Sequence, residues 1–187
     1  VASSSASDAD YDKAINSGPV APDDVVAASA WAAAVKQAGK LVTGGTKTSE
    51  VFSWEDSKTK KISGFDAAIA QALARYIIGG DDARSLLEVQ QVTSDTRETV
   101  LVNGTVKAVV ATYTITPERA KKIDFAGPYY ASSQAILVKA DNQDITGVDT
   151  LTGDVAVQSN SSSAAALKKH APKATAKPFD TQAKCVA

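Results

Sequence analysis

The chain has 187 residues, 44% of them hydrophobic and 22% charged, which leaves room for one large or two small domains and excludes a disordered, collagenous or coiled-coil chain as the whole. Twenty Lys and Arg against 21 Asp and Glu give a formal charge of −1, so no overall field gathers nucleic acid or an anionic membrane. One Cys and one His exclude an internal disulfide framework, a zinc finger and any Cys/His-rich metal site built from this chain, and no cofactor or metal is expected.

Residues 1–22 are rich in Ser, Ala and Asp, and residues 1–24 hold five Asp and one Lys. That composition predicts a flexible, solvated leader. Position 1 is not Met, as expected of a processed start from which any signal sequence has gone. Residues 23–39 read as one helix, opened by Asp23 and Asp24 and stopped by Gly39, with Trp31, Val35 and Ala38 at helical spacing. Its apolar face either packs on the body that follows or offers a docking surface.

From Lys40 strands alternate with helices, and residues 40–131 are expected to form an α/β first lobe. Leu41–Thr46 reads as a buried strand. A helix over Gly64–Ile78 places Phe65, Ile69, Leu73, Tyr76 and Ile77 on one face. Leu86–Val92 is a second strand, Asp95 caps a short helix ending at Asn103-Gly104, and Val106–Ala111 is a third, nearly all apolar strand. Residues 132–140 alternate in character and predict a hinge strand. Over 141–187 the alternation restarts, with strands at Asp154–Gln158 and Ala174–Phe179, a helix over Ser161–His170 and another opening at Asp180. Two strands and one and a half helices close no core of their own, so the second lobe reads as incomplete. The apolar windows Val25–Val35 and Ala67–Ile78 are too short and too polar to cross a bilayer.

Two strand-to-helix junctions carry the candidate chemistry. The run 111–122 leaves the third strand through hydroxyl residues and enters a helix with Thr116 as N-cap and Pro117 in the first turn. Arg119 falls in that first turn, where free N–H groups and the helix dipole already favour an anion. A carboxylate is needed there, either from a ligand or from an internal salt bridge, and bidentate pairing is the geometry Arg suits best. The second junction, Gln158-Ser159-Asn160-Ser161-Ser162-Ser163, offers small hydroxyls and free N–H groups to an anion, or simply caps its helix. Both lie at C-terminal ends of strands, where open α/β sheets place ligands.

The run Thr114-Ile115-Thr116-Pro117-Glu118-Arg119, followed by residues 123–130 (Ile-Asp-Phe-Ala-Gly-Pro-Tyr-Tyr), resembles the signature of the polar-amino-acid-binding proteins of bacterial ABC importers, solute-binding protein family 3. Gly64-Phe65-Asp66 before a helix, the stretch 101–110 and the stretch 155–162 are similar in order and spacing, and details at 95–97 and 111–113 look most like the actinobacterial glutamate/glutamine-binding branch. The resemblance covers about Lys40 to Ala187. It implies a bilobed, type II periplasmic-binding-protein-like α/β fold that captures glutamine or glutamate between two lobes and delivers it to a membrane permease. It further implies an extracellular or periplasmic place, a lipoprotein anchor, a monomeric full-length form and no catalysis.

By the same resemblance, Arg119 clamps the ligand α-carboxylate and Thr114 donates its hydroxyl and N–H beside it. Ala111 and Thr112 offer main-chain groups, and Phe52 covers the aliphatic part, with Trp54 as its substitute. Ser161 and Ser162 close on the carboxylate, while Gln158 and Lys47 read the ligand side chain or serve plain surface roles. Lys107 departs from the family pattern, which has Asp there. The carboxylate that receives the ligand ammonium is expected beyond Ala187, so the chain reads as a piece completed by further residues or by another chain. A two-lobe enzyme of dehydratase type and a ligand-sensing receptor domain are the alternatives. The enzyme needs a general acid or base, and His170, alone in a basic helix, reads as a solvated side chain. Cys185 is either a buried thiol or a partner for a cysteine elsewhere.

Overall fold

The computed structural model describes residues 7–187, which form two compact units. The first unit contains residues 7–92 and Thr99–Tyr113; the second contains Thr93–Glu98 and Thr114–Ala187. The division falls at 113/114 rather than at 131, the end expected for the first lobe.

The leader expectation fails from residue 7 onward, and its first six residues lie outside the described residues. Asp8–Asn16 is helix α1, whose N-cap Ser7 accepts a hydrogen bond from the Asp10 N–H at 3.1 Å. Ile15 is buried, and the Tyr11 hydroxyl donates to Gln71 Oε1 at 2.7 Å. Arg84 stacks over the Tyr11 ring at 4.5 Å, pairs with Asp12 through Nε, and donates to the Ile62 carbonyl at 2.7 Å. Two anchors four residues apart, Tyr11 and Ile15, order a segment whose average composition is too polar to order itself.

The single helix expected over 23–39 is two: α2, Asp23–Ala27, and α3, Ala30–Ala38. Ser29 breaks them because its side chain accepts from the Ala32 N–H at 3.2 Å and so caps a new start. Gly39 ends α3 in the left-handed conformation, φ 65°, which only glycine adopts freely. Trp31 is exposed, and its indole N–H donates to the Lys107 carbonyl at 3.0 Å. Lys107 in turn donates its N–H to the Val42 carbonyl at 2.8 Å, so its backbone ties α3 to the sheet.

That sheet is parallel and three-stranded. Strand β1, Leu41–Gly45, is central; a small antiparallel ribbon of β2, Thr48–Ser49, β3, Ser53–Glu55, and β4, Ile62–Ser63, follows it. Helix α4, Phe65–Ile78, then leads to β5, Leu87–Gln91, beside β1 in register Leu41 to Leu87 through Gly45 to Gln91. Helix α5, Arg97–Val102, precedes β6, Ala108–Val109, on the other side of β1. The ribbon was not anticipated, because strands of two or three residues carry no readable period.

Helix α4 keeps Ile77 buried and Leu73 against the core, as expected, but the rest of its buried stripe differs. Ala67, Ala70, Gln71, Ala74 and Ile77 face inward, whereas Phe65 and Tyr76 are 41% and 38% exposed. Alanines at i, i+3 and i+7 bring the helix backbone close to its neighbours, and Ala74 and Ile77 join Ala21, Val26, Val35 and Leu41 in one apolar core.

In the second unit, Pro117–Ala120 forms the one-turn helix α6, with Thr116 as N-cap and Pro117 in the first turn, as its sequence predicts. A 3-10 turn at Val148–Thr150 precedes β7, Gly153–Gln158; α7, Ser163–His170; β8, Ala174–Phe179; and α8, Gln182–Val186. Strands β7 and β8 pair in parallel over their full length around buried Leu151, Val157 and Ala171. Residues 132–140 pair with no strand among the described residues, contrary to the hinge-strand expectation, because alternation specifies a strand only where a neighbouring edge supplies hydrogen bonds.

Candidate functional site

The C-terminal end of β6 runs into Ala111 and Thr112, where the first unit places its share of the expected site. Thr112 is left-handed, φ 48°, a conformation costly for a β-branched residue. Two bonds hold it there: its N–H donates to Asp66 Oδ2 at 2.7 Å and its Oγ1 to the Ala111 carbonyl at 2.8 Å. Asp66 is only 1% exposed, in the first turn of α4 where the dipole favours a carboxylate. Of the main-chain groups expected from Ala111 and Thr112, the Thr112 N–H donates to Asp66 inside the unit. Asp66 is a positioning group that sequence reasoning passed over.

Phe52 is half-buried and fixed by its backbone. Its carbonyl accepts from the Ala67 N–H at 3.2 Å, and the Val51 carbonyl accepts from the Phe65 N–H at 3.0 Å, so the loop caps α4. Gly64 makes this approach possible, since at φ 122° a Cβ there would stand 2.5 Å from the Phe52 carbonyl. Trp54 sits in β3. Lys47, expected to read a ligand side chain or to serve a plain surface role, pairs its ammonium with Glu55 Oε2 at 2.8 Å and donates its N–H to Gln91 Oε1 at 2.8 Å. The hydrogen bond from Lys47 holds the Glu55 carboxyl below its ordinary value.

The second unit gathers Arg119, Thr114 and Ser162. The Thr116 cap accepts from the Arg119 N–H at 3.3 Å, fixing the start of α6. The guanidinium donates through Nη1 to the Thr114 carbonyl at 2.7 Å and through Nη2 to the Asn160 carbonyl at 2.9 Å. Thr114 Oγ1 stands 3.4 Å from Ser162 Oγ, and the Gln134 amide reaches Ser162 at 3.4 Å and accepts from Ser163 Oγ at 2.8 Å. Two of the three side chains that read as carboxylate donors, Thr114 and Ser162, thus stand together, and Thr114 also holds the guanidinium through its carbonyl.

Ser161 and Gln158 do other work in this structure. Ser161 Oγ donates to the Gln158 carbonyl at 2.6 Å and accepts from the Ser163 N–H, shaping the turn into α7. The Gln158 amide is tied to the β8–α8 connection through the Asp180 carbonyl at 3.3 Å and Gln182 Nε2 at 3.2 Å. Asn160, left-handed at φ 52°, and Gln134 were missed; asparagine's tolerance of that conformation was the available signal for the former. His170 is exposed at the basic C-terminal turn of α7, where a cation complements the dipole. Among the described residues, no cluster of three or more His, Cys, Asp or Glu is arranged to hold a metal, and no helix is long and apolar enough to cross a membrane.

Residues 41–182 match the bacterial extracellular solute-binding proteins, family 3, and the chain belongs to that family. The glutamine-binding protein of Geobacillus stearothermophilus is 35% identical over 150 residues, covering 80% of this chain and 56% of that protein. The glutamate-binding protein GluB of Corynebacterium efficiens is 31% identical over 150 residues, covering 78% and 50%. The crystal structure of the ancestral amino acid-binding protein AncCDT-1, a precursor of cyclohexadienyl dehydratase, superposes with TM-score 0.74 at 33% identity over 84% of this chain and 69% of that one. The fold is accordingly the α/β, type II periplasmic-binding-protein-like fold expected, and the chain spans about half the length of the curated relatives it matches.

Proposed function

We propose that the full-length protein is the solute-binding component of an ABC importer on the extracellular side of the membrane, capturing glutamine or glutamate and delivering it unchanged to the permease. The observation that carries this reading is the Arg119 guanidinium, held by the Thr114 and Asn160 carbonyls next to the Thr114 and Ser162 hydroxyls. A fork fixed on two sides meets an α-carboxylate with little further loss of side-chain freedom, and the hydroxyls donate to the same oxygens. The two relatives named for glutamine and glutamate support the ligand class. Capture of a zwitterion requires paired charges and excluded water, with no bond broken. A lipid anchor and a monomeric state complete the proposal on the family resemblance alone.

Calorimetry on the full-length protein with glutamine and glutamate tests this. One amino acid binds per molecule, and Arg119→Ala weakens it about 100-fold or more, as expected when a charge-assisted pair loses one partner. Equal affinity in that variant, or a converted product detected by mass spectrometry, contradicts the reading.

A further inference from the structure

Asp95 stands far from Arg119 in sequence yet controls one of its two carbonyl partners. Its Oδ2 accepts from Ser159 Oγ at 2.6 Å, and its Oδ1 accepts from Asn160 Nδ2. These are consecutive residues of the turn between β7 and α7, and the second is the left-handed residue whose carbonyl receives Arg119 Nη2 at 2.9 Å. All four residues belong to the second unit. A side chain at the N-terminal end of α5 therefore holds both consecutive residues of one turn, and that turn supplies one of the carbonyls that hold the fork.

We infer that Asp95 is a positioning residue for amino-acid binding, acting through the Asn160 carbonyl to orient the Arg119 guanidinium; this rests on the function proposed above. A left-handed, non-glycine residue keeps its conformation only when its surroundings over-determine it. Here the carboxylate does so by engaging the side chain of Asn160 and the hydroxyl beside it. Without Asp95 the turn relaxes, Nη2 loses its fixed acceptor, and the guanidinium samples orientations that do not match a carboxylate. Asp95 does not touch the ligand in this scheme.

The test is calorimetric titration of the full-length protein with glutamine and glutamate in Asp95→Ala, Asp95→Asn, Ser159→Ala, Arg119→Lys, Arg119→Ala and the Asp95→Ala/Arg119→Lys double variant, with thermal midpoints measured without ligand. Asp95→Ala raises Kd about 10-fold, the size of one lost charged hydrogen-bond arrangement. Asp95→Asn and Ser159→Ala, which each keep part of the arrangement, raise it about 3-fold. In the Arg119→Lys background, where no fork remains to be aimed, Asp95→Ala changes Kd less than about 2-fold, a non-additivity that a purely structural role does not produce. An unchanged Kd in Asp95→Ala, or a 10-fold penalty that persists undiminished in the Arg119→Lys background, overturns the inference while leaving the amino-acid reading in place. Wild-type protein that binds neither amino acid, or Arg119→Ala that binds as wild type, overturns the reading itself.

Discussion

Tyr11 shows how much one side chain decides in the first unit. Burial pushes its phenol from 10.0 up to about 12, against the lowering pull of the Arg84 guanidinium stacked on its ring. A value raised in the folded state means that the stability Tyr11 contributes is fully present below about pH 10 and is lost as pH rises through about 12. Absorbance titration should therefore show a phenolate step near pH 12 that Tyr11→Phe removes, with α1 losing protection in hydrogen exchange over the same range; a step near 12 that survives Tyr11→Phe, or no such step, contradicts this packing. The same scale explains what sequence reading reached and what it missed. Arg119 was legible because Thr116 and Pro117 fix a helix start by local chemistry alone. The partners of Asp66 and Asp95 were not, because the first read only as part of the Gly64-Phe65-Asp66 run and the second as a helix cap, and nothing local ties them to Thr112 or to Asn160. The Lys47–Glu55 pair was likewise hidden, because the short ribbon that brings the two together carries no readable period.

Among the elements, β1 carries the first unit. Leu41 is fully buried and pairs with Leu87, and it shares one apolar core cluster with residues of α2, α3 and α4. Leu41→Ala should cost about 2–5 kcal/mol in urea unfolding, the range for a buried leucine whose cavity does not collapse; a loss under about 1 kcal/mol contradicts the packing described. Glycines follow in the strand because neighbours crowd it: a Cβ on Gly45 would lie 2.9 Å from Val89 Cγ1. The strands and long helices were readable for the usual reason, that periods of 2 and 3.6 repeat often enough to be seen. Three features escaped that logic. The ribbon is too short to show a period, Ser29 divides a helix by capping rather than by breaking the pattern, and α1 is held by tertiary contacts to Gln71 and Arg84 that a local composition average does not contain.

For the whole molecule, family membership and the carbonyl-held guanidinium of Arg119 support the proposal that a carboxylate-bearing amino acid is recognised by that fork. The α/β class and the family resemblance were legible because both rest on ordered motifs spread over most of the chain, whereas the unit boundary at 113/114 follows from three-dimensional packing that no linker composition marks. The most direct measurement compares glutamine with its α-carboxamide analogue on wild-type full-length protein and on Arg119→Ala. The account predicts that wild type prefers the carboxylate by about 100-fold or more and that the variant loses nearly all of that preference, because the discriminating charge is gone. A variant that still prefers the carboxylate as strongly as wild type would place the recognition elsewhere and contradict the account.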